Sequence, residues 1–325
     1  MKMTSIINVG HGDPVIFRPW WGKHQLLSPI DTQVPSIYEY QEEDFSDLIT
    51  STRKFYSLFD LETYNFSIVY GNGSTQVITA VLHTISKRLS RRIVVAYKPP
   101  VYMLMHEFLS YCNWIEITFD LTRDDIDVEV VIDPNNPSGE RRYQESSASY
   151  VIFDRAYHWP IYIDSLDPIS RGCNHITVYT ISKLLGMGGL RLGWAFINDN
   201  NLAQEVQRSL FVIGICPNSF GMEASKVVFN RFIDDPNLVS QYNNELKDMI
   251  EQRRNALQKC SQFIVTNTSG PYAWIKSRGN IAQNLYQKYG IKVCDGIHFG
   301  FSHQYARWSL ICSEDDFNSA LDRLK

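Results

Sequence analysis

Short apolar runs punctuate the chain between residues 66 and 197, and four of them lead into polar or glycine-rich residues. The run at 66–70 ends at Gly71-Asn72-Gly73, 128–132 leads into the turn cluster Asp133 to Gly139, 150–153 ends at Asp154, and 176–180 ends at Ser182-Lys183. Further runs lie at 92–96, 114–117 and 192–197. They are continuous in apolar character rather than alternating, and helical or loop segments separate them. This pattern predicts a mostly parallel sheet covered on both faces by helices. Ligands bind such sheets beyond the carboxyl ends of the strands, so Gly73, Asn136, Asp154 and Lys183 are expected along one rim.

The same pattern divides the chain. Residues 1–45 are irregular and rich in Pro, Trp and Tyr, and read as an arm or lobe edge. Residues 46–215 read as a large domain, in which Ser74 caps a helix through about residue 89 with Val77, Ile78, Val81, Leu82 and Ile85 on one face. Beyond 215 come a long charged helical region at 219–260, a strand at 271–275, a helix near 280–289, a last strand at 305–310 and a closing helix at 314–325. Residues 216–325 together with 1–45 therefore read as a smaller α+β domain.

Composition narrows the class. The 325 residues are 44% hydrophobic, enough for a large core. Thirty-one basic against 35 acidic residues give a net charge of −4, with no basic surface to suggest nucleic acid or an anionic membrane. Six scattered cysteines with no CxxC pair speak against a disulfide framework or a zinc site, so no metal is expected. No signal-peptide-like start and no apolar stretch of membrane-spanning length is present, and a cytoplasmic enzyme is the expectation.

Each rim residue has a plain reading and a chemical one. Lys183 could be a strand-end lysine reaching for water, or a Schiff-base amine whose ordinary pKa of about 10.4 is lowered by burial or a nearby cation. Gly73-Ser74-Thr75 could be a turn, or a phosphate site at a helix N-terminus. Arg191, following Gly186, Gly188 and Gly189, could lie on the surface or fork a phosphate. Asp154 at an apolar strand end could be a salt-bridged acid or the partner of a pyridinium nitrogen. Tyr157 could reach the same ligand, and Asn136 could donate to a phenolic oxygen. Taken together, a phosphate cradle, an imine lysine, a ring-nitrogen acid and a phenol clamp match pyridoxal 5'-phosphate.

These stretches resemble the fold-type-I pyridoxal-phosphate enzymes, and among them the alliinase and tryptophan-aminotransferase-related family. The matching blocks run in order: His11-Gly12-Asp13-Pro14 with Trp20-Trp21, GNGSTQ at 71–76, PNNPSG at 134–139 and DRAYHWP at 154–160. Ser182-Lys183 through Gly193-Trp194, Tyr272-Ala273-Trp274 and Arg307-Trp308-Ser309-Leu310 complete them. The resemblance implies a large domain with a mostly parallel seven-stranded sheet plus a small α+β domain. It implies that Lys183 carries the coenzyme, Asp154 pairs with its ring nitrogen, and Asn136 and Tyr157 hold its ring oxygen. Gly73, Ser74, Thr75, Ser182 and Arg191 would bind the phosphate, Tyr102 would stack on the ring, and Arg307 would clamp the substrate carboxylate, with Asn136 close by. Tyr38 or Tyr40 would reach the site of a partner subunit in a homodimer with shared active sites. The chain departs from the family pattern at Met187 and Leu190, where histidine and serine are common, and at His158, which replaces a tyrosine. An epidermal-growth-factor-like module of the alliinase kind is not expected.

The chemistry expected from these roles is attack on a free L-amino acid through an external aldimine, with Lys183 removing the α-proton. An aminotransferase giving a 2-keto acid is the first expectation. A β/γ-eliminating C–S lyase or dehydratase, or an amino-acid cyclase of specialised metabolism, shares the same first step. Phe17, Trp20, Trp21 and Tyr38 could line an aromatic pocket or pack the lobe.

Overall fold

The computed structural model describes residues 6–24, 45–102, 107 and 109–325. Strand β1 (Ile7–Asn8) opens the described chain. The central sheet is built from β2 (Ser67–Gly71), β3 (Ile93–Ala96), β4 (Ile115–Thr118), β5 (Val128–Ile132), β6 (Tyr150–Asp154), β7 (His175–Thr180) and β8 (Gly193–Ile197). Its order is β2-β8-β7-β6-β5-β3-β4. The pairs β7–β6, β6–β5, β5–β3 and β3–β4 are parallel, while β8 runs antiparallel to both β2 and β7. This is the mostly parallel, seven-stranded α/β architecture that the apolar runs predict. All five residues of β5 and all five of β8 are buried, as a sheet covered on both faces requires.

The helix Ser74–Leu89 buries Val77, Ile78, Val81, Leu82 and Ile85 against this sheet. Its start differs from expectation. Gly73, at φ +87°, is the N-cap, and Ser74 is the first helical residue and makes no capping bond. The chain turns into the helix through a conformation that glycine adopts freely, which leaves the Ser74 hydroxyl for other work. The helical region expected at 219–260 is two helices, Ser219–Asp234 and Pro236–Gln258. Proline cannot continue a helix but suits its first turn, and the Asp235 side chain accepts from the Asn237 amide to cap the second helix.

A second sheet has the order β12-β13-β10-β9, from β9 (Ile264–Val265), β10 (Tyr272–Lys276), β12 (Cys294–Asp295) and β13 (Tyr305–Ser309). Strand β11 (Ile291–Lys292) instead pairs in parallel with β1, which ties the N-terminal segment to the C-terminal part of the chain. Phe17, Trp20 and Trp21 pack here. Trp20 lies edge-on to Tyr242 at 4.7 Å, and the Trp21 indole donates to the Leu185 carbonyl at 2.8 Å.

Asp133, His158 and Asp167 bring potential metal ligands together, but the Arg141 guanidinium already bonds both carboxylates. His158, the departure from the family's tyrosine, accepts from the Asp167 amide at 3.2 Å. Burial, followed by the charges of Arg155 and Arg141, pushes its pKa down to about 2, so it serves this network as a neutral ring. Among the described residues, no helix is long and apolar enough to cross a membrane.

Candidate active site

A cavity of about 480 Å³ opens where β5, β6 and β7 end, the size of a small-molecule site. One wall comes from the central sheet: Asn136 after β5, Asp154 at the end of β6, and Ser182 and Lys183 after β7. Ser74 and Thr75 face it from the start of their helix, and Arg191 from the connection into β8. Tyr102 and Tyr157 flank it, and Arg307 enters from β13. Tyr38 and Tyr40 lie outside the described residues.

The anion end is shaped around Arg191. A side-chain carbon on Gly73 would fall 2.4 Å from Arg191 Nη2, and one on Gly193 would meet the Ser74 amide nitrogen at 2.4 Å. Both glycines are therefore fixed by close packing. Arg191 holds a left-handed conformation (φ +49°), and its guanidinium donates to the Gly188 carbonyl at 3.0 Å. The result is a guanidinium, the hydroxyls of Ser74, Thr75 and Ser182, and helix-start amides at one end of the cavity, the arrangement that binds a phosphate.

Asp154 provides the opposite pole. Its Oδ1 accepts from the Ala156 amide at 3.1 Å, and among the described residues no cation pairs with it. Burial raises its pKa from 3.8 to about 6, with the Ala156 bond opposing. Such an acid is suited to a cationic ring nitrogen brought by a ligand.

Lys183 Nζ donates to the Gly12 carbonyl at 2.7 Å and lies 5.9 Å from the centre of the Tyr157 ring. Tyr157 is buried, which raises its pKa well above the ordinary value, so its phenol is a proton donor at neutral pH. Its hydroxyl lies 2.6 Å from that of Tyr272. Burial also raises the pKa of Tyr102.

Arg307 is buried. It donates through Nη1 to Asn136 Oδ1 at 3.1 Å and through Nη2 to the Gly10 carbonyl at 2.8 Å. Its Nε is buried with no hydrogen-bond partner among the described residues. A buried cation with donors left over is prepared for a carboxylate. The bond from Arg307 occupies Asn136 Oδ1, so that residue's amide protons are its remaining means of contact.

The residues present thus fit pyridoxal phosphate. They include an anion cradle where a Cβ would collide, a buried acid with no cationic partner, an amine on the wall between them and an orphaned guanidinium nitrogen.

A family model described as Allinase matches residues 7–325. The chain belongs to the alliinase family. It is a pyridoxal-phosphate-dependent enzyme of fold type I, either an aminotransferase or a lyase. Tryptophan aminotransferase-related protein 4 of Arabidopsis thaliana is 24% identical, over 98% of this chain and 77% of the relative. Alliin lyase 1 of Allium sativum is 25% identical, over 98% and 74% respectively. Among solved structures, an aspartate aminotransferase from Rhizobium meliloti superposes with a TM-score of 0.77 at 19% identity, covering 99% of this chain and 90% of that one. An aminotransferase from Staphylococcus aureus gives 0.76 at 17%, covering 99% and 93%. Both likenesses concern the fold.

This alliinase-family site also contains residues to which the sequence pattern assigns no role. His11, Gly12, Asp13 and Pro14 line the cavity, as does Tyr272. The HGDP stretch was visible as a motif, but only long-range folding brings it over Lys183. Tyr272 falls in the matching block Tyr272-Ala273-Trp274, but within an apolar strand that block carries no sign of a role at the cavity.

Proposed function

We propose that the chain is an aminotransferase that binds pyridoxal phosphate covalently through Lys183 and converts a free L-amino acid to its 2-keto acid. The observation that carries this reading is the convergence of Lys183, Asp154 and Arg307 on one cavity. When bound, the coenzyme supplies an electron sink for the pair released when a bond at the substrate α-carbon breaks. Ser74, Thr75, Ser182 and Arg191 hold its phosphate, while Asn136 and Tyr157 hold its phenolic oxygen. Tyr102 covers the ring. Asp154 keeps the proton on the ring nitrogen. Arg307 binds the substrate carboxylate and so directs the α-hydrogen. Lys183 would hold the coenzyme and, as a free amine once the substrate's amine has taken its place, would remove the α-proton as general base. The relative named for tryptophan aminotransferase supports this reading.

The relatives named alliin lyase favour a second reading with the same first step, in which a leaving group departs from the β-carbon. A panel of amino acids, assayed with and without a 2-keto-acid acceptor, tests both. Consumption that requires the acceptor supports transamination. Acceptor-independent pyruvate and ammonia support elimination and sink the first reading.

The working unit is proposed to be a homodimer. Val212, Ile213, Ile215 and Phe220 are exposed together in the segment 212–220. Asn72 of the phosphate loop ties this segment to the cavity, donating to the Cys216 carbonyl and accepting from the Asn218 amide.

A further inference from the structure

Beyond the roles above, the geometry points to Tyr272 as a positioning residue, whose hydroxyl donates to Tyr157 Oη and thereby commits the Tyr157 proton to the phenolic oxygen of the coenzyme. This rests on the coenzyme reading and adds to it a residue outside the direct holding set.

The two hydroxyls are 2.6 Å apart, and both side chains are buried. Only one proton can lie between two phenol oxygens, so one of them donates and the other accepts. If Tyr157 donated to Tyr272, it would have no proton to offer a ligand. A phenolate oxygen in the cavity accepts only. It draws the Tyr157 proton toward itself, and Tyr272 must then donate. Hydrogen bonds in such a chain polarise one another, so donation by Tyr272 strengthens the donation by Tyr157.

The surroundings hold Tyr272 for this purpose. Its backbone pairs with Ser309 across β10 and β13. The Arg307 guanidinium stands 4.3 Å from the ring centroid, a cation over an aromatic face. A side-chain carbon at position 12 would fall 2.7 Å from Tyr272 Oη and 3.8 Å from Arg307 Nη2, so Gly12 leaves the space the hydroxyl occupies. Tyr272 therefore touches both the phenol that serves the coenzyme and the guanidinium that serves the substrate.

The test is a pH titration of the visible absorption band of the holoenzyme. A donor on the phenolic oxygen draws off negative charge and loosens that oxygen's hold on the proton of the coenzyme–lysine nitrogen. Tyr272→Phe removes the supporting bond and keeps the ring under Arg307. It should raise the midpoint by about half to one pH unit, the worth of one neutral hydrogen bond, with KM for the amino acid unchanged. Tyr157→Phe should raise it further, and adding Tyr272→Phe to that variant should change nothing more, because the effect runs through Tyr157. If Tyr272→Phe does not fold, 3-fluorotyrosine placed at position 272, a stronger proton donor of nearly the same shape, should shift the midpoint downward instead. A midpoint equal to wild type, or a Tyr272 effect that persists undiminished without the Tyr157 hydroxyl, overturns the proposal. A wild-type protein that takes up no coenzyme overturns the coenzyme reading as well, whereas an insensitive midpoint overturns this inference alone.

Discussion

The Gly12 carbonyl accepts a hydrogen bond from Lys183 Nζ at 2.7 Å, although the two residues are 171 positions apart. Among the described residues, the amine is thus aimed along the cavity wall by backbone rather than by a carboxylate. Lys183→Ala should abolish the coenzyme's covalent absorbance and lower turnover by about a thousandfold or more, the scale of losing a nucleophile and general base together. Absorbance spectra and steady-state assays of the purified variant check this, and a variant retaining near wild-type turnover defeats the assignment.

Asp154 makes stability depend on pH in a definite direction. Its folded pKa of about 6 exceeds the ordinary 3.8. Between these values the folded state keeps a proton that the unfolded chain has lost, so this group lowers stability as pH rises through the window. Asp154→Asn should stabilise the coenzyme-free protein at pH 8 by about 1–3 kcal/mol, with the gain fading toward pH 4. Denaturant titrations across that range measure it. The same variant should lose most coenzyme-dependent activity, since nothing then holds the ring-nitrogen proton.

Arg307 sits among aromatic faces, with Phe299 at 5.1 Å as well as Tyr272, and bonds to Asn136 and Gly10. A lysine keeps the charge but not the planar fork. Arg307→Lys is therefore expected to lower kcat/KM for the amino acid by about a hundredfold, chiefly through KM. Coenzyme affinity, measured by fluorescence titration, should stay near wild type.

At the anion end, Arg191→Ala removes the guanidinium, and Gly73→Ala drives a methyl against it in a backbone conformation that alanine resists. Each should weaken pyridoxal phosphate binding by about a hundredfold, the worth of a charge-assisted hydrogen bond. Pyridoxal without its phosphate should bind both variants as it binds the parent. Equal losses for the two ligands would show that the damage is not at the phosphate.

Sedimentation velocity tests the proposed homodimer. Val212→Asp combined with Phe220→Asp places charges on the exposed apolar segment. The double variant should sediment as a monomer where the parent is a dimer, and should bind coenzyme less tightly through the Asn72 link.

Much of this site was legible because its residues sit at strand ends. Gly73, Asn136, Asp154 and Lys183 each follow a continuous apolar run, and a parallel sheet sends such ends to one rim. The N-terminal segment was not legible in the same way. Gly10 meets Arg307 across 297 positions, and nothing in HGDP alone specifies that contact. Tyr272 stood in a matching block, but its role shows only when Tyr157 and Gly12 are seen beside its hydroxyl. The helical region at 219–260 was legible, and Asp235-Pro236 marks where it divides into two helices. One misreading had a local remedy, since the glycine before Ser74, rather than the serine, suits the turn into its helix.

The reversed strand β8 has a consequence for how this protein can change. Because it runs against β7, the segment from Ile181 to Leu192 leaves and rejoins the sheet at the same rim, like a handle bolted at both feet. One foot bears Lys183 and the other Arg191. Extra residues spliced into such a handle would slacken both fastenings at once, whereas the same splice in the exposed stretch around Tyr143 would leave each in place.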